Sequence, residues 1–95
     1  MGFTTISSTQ LAASGAVFGG PARVKSIYVA HSAVAGTVIL KDGGTWGTAR
    51  CTINTAAAIG EYQTIIPEPG IRCVHASGPY IAITGGVSFV TVFYD

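Results

Sequence analysis

The sequence predicts an all-β fold: a small antiparallel β-sandwich or barrel, jelly-roll-like or Ig-like, with an extended N-terminal arm. Three observations predict it. From Ala22 onward, short runs rich in β-branched and aromatic residues alternate apolar with polar side chains. Gly and Pro clusters cut those runs at regular intervals. No apolar pattern of helical period is long enough for a crossover helix, which argues against an α/β fold. The chain has 95 residues, enough for a single domain with one thin core.

Taken in order, residues 1–21 read as the arm and 22–95 as the sandwich domain. Positions 1–20 carry no charge and are rich in Ser, Thr, Gly and Ala. Gln10 to Ser14 is short enough for one helical turn, and Gly15, Gly19, Gly20 and Pro21 break regular structure. An arm packed on its own domain or a neighbour, and a loose terminus, are both open at this point. Arg23 to Ser32 reads as the first strand, with Lys25, Ile27, Val29 and His31 on one face and Val24, Ser26, Tyr28 and Ala30 on the other. Ala35-Gly36 reads as a turn into Thr37–Lys41, and Asp42-Gly43-Gly44 as a strong hairpin turn. A third strand follows within Thr45–Thr55, with Ala49, Cys51 and Ile53 inward and Arg50, Thr52 and Asn54 outward. Glu61–Ile66 is the fourth, closed by Pro67, and Ile71–Ala76 the fifth, with Ile71, Cys73 and His75 on one face. Tyr80–Thr84 buries Ile81 and Ile83, Gly85-Gly86 turns, and Val87–Tyr94 is the seventh strand. That last strand is apolar on both faces, as expected of a central or covered position.

Composition limits the function classes. Lys and Arg number five and Asp and Glu four, against about 24 charges at ordinary usage. The balance gives no basic footprint for nucleic acid. Gly78-Pro79 and Gly85-Gly86 interrupt the uncharged stretch from Val74 to Tyr94, so no membrane segment is expected. No basic region followed by an apolar block opens the chain, so no secretory signal is expected either. Cys51 and Cys73 read as two reduced, partly buried thiols that behave as small apolar residues. A surface poor in Lys and Glu loses little on burial, because neither charge desolvation nor long-side-chain entropy is large. Much of it is expected to meet other protein chains.

Candidate chemistry is thin. Cys73 and His75 lie two apart on one strand, and Cys51 and His31 would complete a zinc set only if all four converged. The alternative, two core thiols and two sheet histidines, is favoured by the absence of short ligand spacings. A catalytic triad lacks its buried acid: Asp42 reads as a turn cap, and Asp95 at the end of the sequence is hard to hold. Glu61 and Glu68 flank one strand and read as solvated charges that pair with Arg72 or Arg50, not as a glycosidase pair. No phosphate loop or other cofactor motif is present, so no catalytic, metal or cofactor residue is assigned and no enzyme is expected. Trp46, in Gly43-Gly44-Thr45-Trp46-Gly47, either stacks on a ligand or partner or folds back over the sandwich end. The candidate partner contacts are Phe3, Ile6, Leu11, Phe18, Trp46 and Tyr94.

Four stretches carry a resemblance: Val24-Lys25-Ser26-Ile27-Tyr28-Val29, the run Ala35 to Gly44, the proline-glycine corner before Ile71, and the closing Val90-Thr91-Val92-Phe93-Tyr94. Over about three-quarters of the chain this strand-turn pattern resembles small structural proteins of tailed bacteriophages, of the capsid decoration or cement type. The resemblance implies a virion protein on the outer capsid surface, assembled in the host cytoplasm, that bridges neighbouring major capsid proteins, commonly as a homotrimer. A neck or tail location fits the same pattern. A carbohydrate-binding module using Trp46 is the alternative from another class. An arm that crosses to a neighbour is expected to be dispensable for folding and needed for capsid occupancy.

Overall fold

The computed structural model describes residues 6–67 and 69–95, with Tyr62 described by its backbone alone. These residues form β1 (Ser7–Leu11), β2 (Gly15–Ala16), β3 (Ala22–Asp42), β4 (Thr48–Thr55), β5 (Gly60–Ile65), β6 (Ile71–Cys73) and β7 (Pro79–Tyr94). No helix occurs among them. Every pairing is antiparallel and all seven strands belong to one sheet. The all-β, antiparallel expectation therefore holds.

Two long strands form the spine. β3 and β7 pair from Val24 opposite Tyr94 to Asp42 opposite Pro79, with an interruption between His31 and Gly36. On the free side of β3, β6 pairs with Ala22–Val24, β5 with Ser26–His31 and β4 with Gly36–Asp42. On the free side of β7, β1 pairs with Val90–Tyr94 and β2 with Tyr80–Ile81.

The spine is folded back on itself. A straight strand of 21 residues would be about 69 Å long, yet the longest extent of the molecule is 44 Å. Ala22, at the start of β3, pairs with Cys73, and the residues after Cys73 donate to the Asp42 carboxylate at the other end of the same strand. The ends of β7 meet in the same way. Val17 N–H donates to the Pro79 carbonyl at 2.9 Å, while the neighbouring Phe18 ring lies 5.5 Å from that of Tyr94. One sheet thus supplies both layers of a sandwich-like body, and it is not closed into a barrel. The core lies inside the fold. Val24, Ile27, Val29, Val90 and Val92 come from one half, and Val38, Leu40, Ile53 and Ile81 from the other. Val17 and Cys73 fill the open end. Each such side chain contributes roughly 1.5–3 kcal/mol through burial.

The two turns expected at Ala35-Gly36 and Gly85-Gly86 are bends inside continuous strands. Gly36 and Gly85 face each other across the ladder. Gly85 sits at φ +72°, in left-handed space. A Cβ on Gly36 would meet the Thr84 carbonyl oxygen, so the two backbones approach more closely there than side chains permit.

The described part of the arm packs on its own domain, one of the placements left open. From Ser7 it is part of the sheet, and Gln10 and Leu11 are strand residues where a helical turn was the expectation. Ser14 Oγ accepts from Ile83 N–H at 2.8 Å and so continues the attachment between β1 and β2. The ladders of β3 carry four register shifts, and at three of them the alternation of side chains changes. Between Val24 and Ser26 the shift lets both Val24 and Ile27 face the core. Between Leu40 and Lys41 another turns Ala49 outward, contrary to expectation. A third, between Ala30 and His31, brings Val87 inward beside Val90.

Candidate functional site

The most distinctive surface feature is the β3–β4 hairpin tip, built from the end of β3 upward. Asp42 is buried, and its side chain is only 4% exposed. Its carboxylate accepts Val74 N–H at 3.2 Å, His75 N–H at 3.1 Å and Arg50 Nη2 at 3.4 Å. Burial alone pushes this carboxyl up, but the His75 and Val74 amides and then the Arg50 guanidinium outweigh it and hold it below the usual range. The acid expected to cap its own turn instead ties the hairpin to the loop after β6. Three further bonds brace the tip: Gly43 N–H to the Gly78 carbonyl at 3.1 Å, Gly47 N–H to the Gly44 carbonyl at 3.0 Å, and Lys41 Nζ to the Thr45 carbonyl at 3.0 Å. On this braced backbone Trp46 is 96% exposed. Of the two placements open in the sequence, the indole takes the outward one.

The other expected contact residues divide. Phe3 lies outside the described residues. Ile6 and Phe18 are exposed, and Phe18 shields one side of Tyr94. Leu11 and Tyr94 are partly buried against the molecule's own core, so the folded chain itself uses much of their surface. Four exposed apolar side chains were missed: Val34, Ile59, Ile65 and Val74. Val34 and Ile59 flank the bend, within Ala33–Ala35 and Ala56–Ile59, where apolar residues run together without alternating. Ile65 is the last residue of β5 and is exposed, while Ile66, just beyond the strand, is partly buried against the core.

The titratable groups do not assemble a reactive centre. His31 is buried at the bend opposite Gly60, whereas exposed His75 lies against Gly43 at the far end of the molecule. Among the described residues no three of His, Cys, Asp and Glu converge as metal ligands. Both cysteines are free thiols; Cys73 is buried, which pushes its thiol up to about 11, with Asp42 reinforcing the shift. The Glu61 carboxylate beside Tyr28 raises the phenol above its ordinary range, and among the described residues Glu61 makes no ion pair with Arg50 or Arg72. Glu68 lies outside the described residues. Asp95, expected to be hard to hold, is well held. Its carboxylate is 5% exposed and takes Arg23 Nε and Nη2 at 3.1 Å each. Its backbone exchanges two further bonds with Arg23.

What this arrangement can do is present a large aromatic surface on a fixed support. No family model matches the chain, and no curated protein or solved structure matches it either.

Proposed function

We propose that this chain is a structural protein of a tailed-bacteriophage virion, which decorates the outer capsid surface and bridges neighbouring major capsid proteins as a homotrimer. The observation that carries the reading is Trp46, 96% exposed on a tip braced by Asp42. Tryptophan is costly to leave in water and is among the residues that dominate binding energy when a partner pocket covers it. A tip already held in place loses little entropy on docking. The scarcity of charge supports the same role, since little desolvation opposes burial. A bridging protein resists internal genome pressure by joining subunits that would otherwise separate, and symmetry multiplies modest contacts into avidity.

The test is recovery with particles. Purified chain is added to virions or empty heads of the encoding phage that lack it, and bound protein is counted after sedimentation. Stoichiometric recovery, with density on the capsid by electron microscopy, is the expected result. Density confined to the neck or tail relocates the protein within the virion. No recovery at all rejects the structural role. The exposed indole between glycines also favours a second reading, a carbohydrate-binding module. Glycan binding by the isolated chain that Trp46→Ala abolishes would establish it.

A further inference from the structure

The turn before β3, β6 and the end of β7 enclose a groove of about 390 Å³. Its lining includes Pro21, Arg23, Pro69, Arg72, Val74 and Asp95. That volume is in the range of pockets that take small ligands or single side chains.

The two arginines are the feature that needs an explanation. Arg23 on β3 and Arg72 on β6 are directly opposite each other in the antiparallel register, so their side chains share one face. Like charges in that position repel and destabilise the pair of strands. Asp95 offsets one of them, since its two carboxylate oxygens are each taken by Arg23. Arg72 is exposed, lines the same groove, and holds no ion pair among the described residues. Among the described residues, two guanidinium groups therefore face a groove with one side-chain carboxylate, already engaged.

We propose that this groove is the seat of an acidic side chain, Asp or Glu, supplied by a protein partner. The guanidinium of Arg72 makes paired N–H bonds to the incoming carboxylate, a geometry that a planar fork favours. The rings of Pro21 and Pro69 and the Val74 side chain line the path of its methylene stem. A polyanion fits less well, because nucleic acid binding draws on many phosphate contacts and the whole chain has five Lys and Arg. The proposal takes from the capsid reading only that the partner is a protein.

The test uses the intact chain and N-acetylglutamate methylamide as probe, at fixed ionic strength, followed by NMR. Saturable shifts of the Arg72 Nε–Hε and of the Cys73 and Val74 amides are expected. The neutral N-acetylglutamine methylamide should produce none, Arg72→Gln should abolish them, and Arg72→Lys should weaken binding several-fold. Removing one of two opposed charges should leave Tm unchanged or raised, so loss of binding in Arg72→Gln will not reflect unfolding. Equal shifts from the two amides, shifts that survive in Arg72→Gln, or tighter saturation by inorganic phosphate would each overturn the assignment. Particle binding separates this proposal from the capsid role. If particles take up wild type and Arg72→Gln alike, the groove assignment falls and the role stands. If the probe binds through Arg72 but no particle takes up wild type, the groove stands and the role falls.

Discussion

Asp42 shows how one side chain fixes a surface. Two backbone amides of another loop end on its carboxylate, so Asp42→Ala leaves both without that acceptor in a part-buried place. The loss is about 2–4 kcal/mol, a fall in Tm of roughly 10 °C or more for a domain of this size. Because the folded-state carboxyl is held below its ordinary value, its contribution is present above pH about 4 and disappears as pH falls through the folded value. Acid unfolding of the wild type should therefore begin below about pH 4, and Asp42→Asn should flatten that part of the stability profile. Trp46→Ala is the contrasting substitution. The ring is 96% exposed, so stability should change by no more than about 0.5 kcal/mol, while particle occupancy falls about tenfold or more, as for a binding hot spot. A large fall in Tm with unchanged occupancy would remove Trp46 from the interface. The thiols can be ordered as well: Cys73, buried and pushed up to about 11, should alkylate much more slowly at pH 8 than partly exposed Cys51, as peptide mapping over time would show.

The fold-back of β3 and β7 depends on a few backbone positions. Gly36→Ala would drive a methyl group into the Thr84 carbonyl and the Gly86 amide, the backbone on either side of its ladder partner Gly85. That substitution should cost more than about 2 kcal/mol, comparable to overpacking a core. Gly19→Ala, where nothing lies within 4 Å, should leave stability unchanged. Comparing the two by thermal unfolding separates a required close approach from ordinary loop flexibility. β1 carries a similar dependence. Deleting residues 1–11 uncovers the edge at Val90–Tyr94 and removes Leu11 from the core, so Tm should fall along with any loss of occupancy. Strand type was legible because alternation and β-branching report local burial, and so were the inward positions Ile53 and Ile81. Strand continuity was not. A glycine pair has the same local signature in a chain-reversing turn as in a sharp bend, and only the pairing of Gly36 with Gly85 distinguishes the two. β1 was missed because Ser7 to Gln10 carry no apolar stripe; their place is set by the open edge of β7. Trp46 was legible as a candidate from its flanking glycines, but its exposure depends on the Asp42 brace, a contact between residues 32 and 33 positions apart.

With nine Lys, Arg, Asp and Glu in 95 residues and a formal net charge of +1, the molecule has almost no electrostatic means of finding a partner or repelling copies of itself. Two ion pairs are made within the fold among the described residues, Asp42 with Arg50 and Asp95 with Arg23. Large apolar side chains are exposed on the surface, Trp46 at the tip and Val34 and Ile59 at the bend among them. Association through such a surface is driven by removing apolar area from water, and that force is not screened by salt. Binding to particles should therefore change little between low and moderately high sodium chloride, apart from a small decrease through the single contact at Arg72. Sulfate, which strengthens apolar burial, should tighten it. A protein docked through phosphates would instead lose several orders of magnitude over the same range, because each neutralised phosphate releases a counterion. Occupancy measured by sedimentation across a salt series decides between the two. A steep loss with sodium chloride would mean that charge drives the contact, and Trp46 would no longer account for it.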